Sequence, residues 1–173
     1  MSLKRLLLVA TLLSALPAWC GHTLTKQERR ILDLWLSQHP TYRAATDADC
    51  DCSDDIQQMK TGYGGNWTPY PDYHPYVVTG DFNSDGVTDF AVVVIDHSKP
   101  RNSFTVLIFN GPFASKPVAP AYVESGLDLR RQGMFFGPRP KPYRLVIGAF
   151  ESDNTWILVP KGQTYKVQVN EAN

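Results

Sequence analysis

The sequence predicts an α+β fold: an N-terminal helix or helices followed by a mainly antiparallel β-sheet of about six to seven strands, with one Asp-rich hairpin. Three observations predict it. Helical periodicity is confined to the chain before residue 60, short Val/Ile/Phe-rich runs fill 76–170, and no helix of crossover length separates the first three of those runs. Residues 1–20 are expected to be a signal peptide and residues 21–173 one domain, with 21–60 as its helical part and 76–170 as its sheet.

The opening segment, MSLKRLLLVATLLSALPAWC, has a Lys4-Arg5 head, an apolar stretch over 6–16 and small residues near Ala18 and Gly21. That is a secretory layout, and the stretch is too short to span a bilayer. Cleavage fits after Ala18 or after Cys20. Trp19 is bulky where lipid attachment at Cys20 wants a small residue, which argues against an anchor there. The expected location is the periplasm or the exterior, with no transmembrane segment.

TLTKQERRILDLWLSQHP follows and reads as a helix: Thr25 and Glu28 stand at capping-box spacing, Ile31, Leu32, Trp35 and Leu36 share one face, and Pro40 ends it. TYRAATDADCDCSDD has no apolar period and is expected as a loop leading into a short helix over 54–59. Its Cys50 and Cys52 leave three states open: a strained bridge with each other, a bridge from one of them to Cys20, or thiols that are free or bound to a metal. GYGGNWTPYPDYHPY is a turn-rich connection bearing Tyr63, Trp67, Tyr70, Tyr73 and Tyr76.

YVVTGDF, FAVVVID and SFTVLIF then read as strands, and RLVIGAF, NTWILVP and TYKVQVN repeat the pattern later. Between the groups, one more strand is expected near 121–124 and a helical turn near Leu127.

The chemistry concentrates in GDFNSDGVTDF. Asp81, Asn83, Asp85 and Asp89 would repel one another unless a cation lay between them. Gly86 permits a sharp turn, and Val87 can offer its carbonyl. Calcium takes six to eight such oxygens. Position 12 of the loop, where an EF-hand needs Glu, is Val92, so an EF-hand is excluded. The alternative without metal is an Asp/Asn/Gly turn capped by its own side chains. The pattern D-x-[DN]-x-D-G-x-x-D resembles the calcium loop of FG-GAP and VCBS repeats, the integrin-type propeller element. The resemblance implies calcium held by Asp81, Asn83, Asp85, Val87 and Asp89 in a structural role. One copy cannot make a propeller, so a single blade-like sheet is the expectation.

Catalytic signals are sparse. No nucleophile elbow, zinc signature or phosphate-cradling loop is present. Asp96-His97, His74 and the pair Glu151 and Asp153 are the only acid–base candidates, and each has a plainer structural reading. A non-enzyme is expected. Lys plus Arg and Asp plus Glu are equal at 17 each, which argues against nucleic acid as a partner. The acidic residues gather before residue 98 and the basic ones after it.

Two stretches resemble contact surfaces: Phe135 and Phe136 beside Arg139 and Lys141 in a Pro-rich loop, and Trp67 with Tyr70. The expected function is an exported calcium-binding domain that recognises another macromolecule. In architecture it is similar to periplasmic inhibitors and immunity proteins, which implies a protein partner such as a peptidoglycan hydrolase or a secreted effector. The alternatives are an envelope glycan hydrolase and a cell-surface adhesion or scaffolding module.

Overall fold

A computed structural model describes residues 23–66, 68–113, 119–137, 142–150, 152 and 154–170. The expected signal peptide therefore lies outside the described residues.

Helix α1 (Lys26–Gln38) starts on a closed capping box: the Thr25 hydroxyl accepts from the Glu28 amide, and a Glu28 carboxylate oxygen accepts from the Thr25 amide at 2.7 Å. Its Ile31 and Leu32 are buried, and with Trp35 and Leu36 they lie on Phe90, Val92, Val94, Leu107 and Phe109. Strand β1 (Tyr42–Ala44) comes next, then α2 (Ser53–Thr61), which stops at Gly62 with φ 75. Cys50 and Cys52 are bonded to each other with Cα atoms 5.0 Å apart.

The first sheet centres on β3 (Asp89–Asp96). β1 and β2 (Val77–Gly80) lie end to end along one edge of it, β4 (Phe104–Phe109) along the other, and β5 (Tyr122–Leu127) outside β4, all antiparallel. Every residue of β3 and β4 is buried. Their continuous apolar runs follow from being covered on both faces. Phe90, Val92 and Val94 meet α1, while Ala91, Val93 and Ile95 face the second sheet. That sheet is a meander of β6 (Gln132–Phe136), β7 (Leu145–Ala149), β8 (Thr155–Lys161) and β9 (Thr164–Asn170). Met134, Leu145, Ile147, Leu158 and Tyr165 close the core from its side. The layers are helix, sheet, sheet.

This corrects the α+β expectation. Among the described residues the fold is mainly β, with nine strands in two antiparallel sheets, and α-helix is confined to 13 and 9 residues. The helices do not precede the strands as a block, because β1 sits between them and pairs with β3. A three-residue strand with no residue fully buried carries no alternation to read. The single widened sheet fails because strand-like runs do not state their partners: after β5 the chain turns at 128–131 and starts a separate sheet. Leu127 ends β5 rather than forming a helical turn. Among the described residues, no helix is long and apolar enough to cross a membrane.

Candidate functional site

The loop 81–88 joins β2 to β3, whose pair Gly80 and Asp89 closes the hairpin. Ser84 and Gly86, at φ 64 and 85, fold the loop back over its first residue. Asp81 Oδ1 accepts from the Asp85 amide and its Oδ2 from the Gly86 amide, both at 3.0 Å. Asn83 Oδ1 also accepts from the Asp85 amide, and its Nδ2 donates to Asp85 Oδ2 at 2.9 Å. Asp85 Oδ1 accepts from the Val87 amide at 2.8 Å. Asp81, Asn83 and Asp85 are thus gathered at the tip.

Asp89 is placed differently. It is 0% exposed, accepting from the Phe82 amide at Oδ2 and from the Gly111 amide at Oδ1, both at 2.9 Å. Burial pushes its carboxyl up to about 6, against the pull of the Gly111, Phe82 and Asn83 amides, and the nearby Asp85 charge adds to the rise. The Tyr165 phenol, reaching across from β9, lies against Asp89 and donates to Asn110 Oδ1 at 2.7 Å. Asn110, Gly111 and Tyr165 were not singled out from the sequence. The Gly111-Pro112 turn after β4 was a weak local signal, and for Tyr165 there was none.

Among the described residues, no group of three or more His, Cys, Asp or Glu side chains is arranged to hold a metal ion. The chemistry of the loop nonetheless suits a hard cation. Each tip carboxylate oxygen that accepts a loop amide keeps further lone-pair capacity, and all the side-chain donors are oxygens.

The acid–base candidates are scattered. Asp96 accepts from the Ser98 amide at 3.0 Å and the Ser98 hydroxyl at 2.6 Å, which holds its carboxyl below the ordinary range, and Lys99 Nζ is 3.6 Å away. His97 is exposed. Glu151 and Asp153 lie outside the described residues. His74 Nδ1 is 2.8 Å from Asp47 Oδ1, and Lys60 Nζ is 3.3 Å from Asp47 Oδ2. His74 and Asp47 border a cavity of about 410 Å³ with walls that include Leu24, Arg29, Ala45 and Tyr76.

Of the contact-surface residues, Phe135 stacks on Tyr73 with centroids 5.6 Å apart and meets the edge of Phe150. Phe136 packs edge-on against Phe82 at 5.1 Å, under the loop, and a side chain on Gly80 would collide with its ring. Tyr70 is 42% exposed. Trp67, Arg139 and Lys141 lie outside the described residues. Compared with known proteins, the chain matches no family model, no curated protein and no solved structure.

Proposed function

We propose that this chain is a non-enzymatic, exported, calcium-binding domain that recognises another macromolecule, with a cell-wall hydrolase or secreted effector as the partner it inhibits. The observation that supports it is the 81–89 loop, which gathers Asp81, Asn83 and Asp85 at its tip and ends on Asp89, a carboxylate held by the Phe82 and Gly111 amides. In this reading Asp81, Asn83, Asp85 and the Val87 carbonyl hold the cation from the tip, and Asp89 closes the shell. The ion supplies positive charge that offsets the carboxylates and pins the hairpin.

The first experiment is thermal unfolding of the mature domain with calcium and with chelator, beside Asp85→Ala. Calcium at about a hundredfold excess over its Kd should stabilise the wild type by about 2.7 kcal/mol and leave the variant unmoved. Equal unfolding in both solutions, with no metal in the purified protein, rejects the calcium assignment. The inhibitory role is tested on a panel of cell-wall hydrolases, and a panel wholly unaffected by stoichiometric protein rejects it. A second reading, a glycan hydrolase, draws on the His74 and Asp47 contact beside the cavity. Peptidoglycan turnover abolished by His74→Ala would favour that reading over inhibition.

A further inference from the structure

The two sheets expose their edges unequally. β1 offers only three residues, and β2 lies against β6. β5 carries a register shift opposite Phe104 and Thr105, a Gly126 at φ 81, and a side-chain bond from Thr164 to its neighbouring Ala121 carbonyl. β6 donates its Met134 amide to the Pro75 carbonyl at 2.9 Å, and the sequence beyond it alternates Pro138, Pro140 and Pro142. Short length, bulges, prolines and covering loops are the devices by which proteins keep a sheet edge from pairing with another chain.

Among the described residues, β9 has neither a bulge nor a proline, and its one charged residue is Lys166. It is seven residues long, without Pro or Gly, in unbroken register with β8 from Lys161↔Thr164 to Thr155↔Asn170. Among the described residues, its only backbone pairing is with β8. Val167 and Val169 are 37% and 56% exposed on the face that carries the buried Tyr165.

We propose that β9 is the interface of a symmetric homodimer, in which two copies of Thr164–Asn170 pair antiparallel and join the two four-stranded sheets into one. The strand is complementary to itself about Val167. That register pairs every residue: Thr164 with Asn170, Tyr165 with Val169, Lys166 with Gln168, and Val167 with its own copy. Odd residues meet odd residues, so the exposed valines extend one apolar face across the junction. No like charges stand opposite each other, whereas a register centred on Lys166 would oppose two ammonium groups. The inference stands apart from the calcium reading and uses no loop residue.

The two-fold axis through Val167 supplies the test. Wild-type protein should form a dimer by light scattering after size exclusion. Val167→Lys and Val167→Glu each set like charges face to face and should weaken dimerisation by about a hundredfold or more. Mixing the two variants should restore a dimer. Wild-type circular dichroism spectra and cooperative unfolding would show that the variants fold. Independently of any variant, hydrogen exchange in 164–170 of the wild type should slow as protein concentration rises.

A wild type that stays monomeric at every concentration overturns the proposal and leaves the edge to a foreign strand. Dimers undiminished in both variants also overturn it, as do a mixture that fails to reassociate and exchange that is independent of concentration.

Discussion

With calcium chelated, Asp89 should make the protein less stable as pH rises. The carboxylate is 0% exposed, and burial pushes it up to about 6 from an ordinary 3.8. A group whose proton affinity is higher in the folded state contributes stability that is complete below the unfolded value and lost as pH climbs through the folded one. The window is therefore about pH 4 to 6, and the loss across it is about 3 kcal/mol, at roughly 1.4 kcal/mol per tenfold change in affinity. For a chain of this size that is a fall of about 6–12 °C in Tm.

Asp89→Asn isolates the effect. The amide never ionises and keeps one acceptor, while its NH₂ faces a backbone donor at a cost of about 1–3 kcal/mol. Near pH 8 that loss and the relief from burying a charge nearly cancel, so wild type and variant should melt within a few degrees of each other. At pH 4 the wild type should be clearly the more stable. In the calcium reading, added calcium favours the ionised carboxylate and removes the wild-type decline. The assay is thermal unfolding by circular dichroism from pH 4 to 8, in chelator and in calcium. Parallel pH profiles for wild type and Asp89→Asn in chelator would refute the claim that Asp89 is desolvated.

Three further outcomes are expected. Gly80→Ala drives a methyl into the Phe136 ring and should lower the unfolding free energy from denaturant titration by about 1–3 kcal/mol, whereas Gly86→Asn at the open loop tip, φ 85, should cost much less. Asp49, held down to about 2 by the Arg43 guanidinium, contributes stability present above the unfolded value of 3.8 and lost as pH falls toward 2. Arg43 is 41% exposed, so Arg43→Ala should remove only about 1 kcal/mol of it, visible as a flatter acid limb in urea titrations. Tyr165→Phe deletes the bond to Asn110 and should cost about 1 kcal/mol, read from chemical denaturation in chelator.

What could be read from the sequence was what local chemistry determines. The Thr25 and Glu28 spacing and the face of Ile31, Leu32, Trp35 and Leu36 mark α1, and those residues meet β3 and β4 as such a face must. FAVVVID and SFTVLIF mark buried strands because both faces are covered. The division into two sheets was illegible because it rests on contacts far apart in the chain, such as Phe136 on Phe82 and Met134 on the Pro75 carbonyl. The site divides in the same way. Asp81, Asn83, Asp85 and Asp89 stand out at alternating positions, but the amide of Gly111 and the phenol of Tyr165 arrive from other strands. Phe135 and Phe136, expected at a contact surface, are half-buried and pack on Tyr73 and Phe82, a placement their composition does not state.

Those distant contacts decide how the loop behaves as a site. At its tip, loop amides donate to the side chains of Asp81, Asn83 and Asp85, so rearranging Asp81 or Asp85 around an ion exchanges bonds made within the loop. Its foot is held from both sheets: Asp89 begins β3, Gly111 follows β4, Phe136 ends β6 and Tyr165 lies in β9. A cation held by the tip alone would reorganise loop residues and leave the foot as it is. One that also engages Asp89 would stabilise the junction of the sheets, because the carboxylate it neutralises is the one whose charge opposes burial there. Calcium bound by the folded state raises the global unfolding temperature in either arrangement, but only calcium that engages Asp89 must also remove the pH dependence this carboxylate imposes, which calcium held at the tip leaves in place.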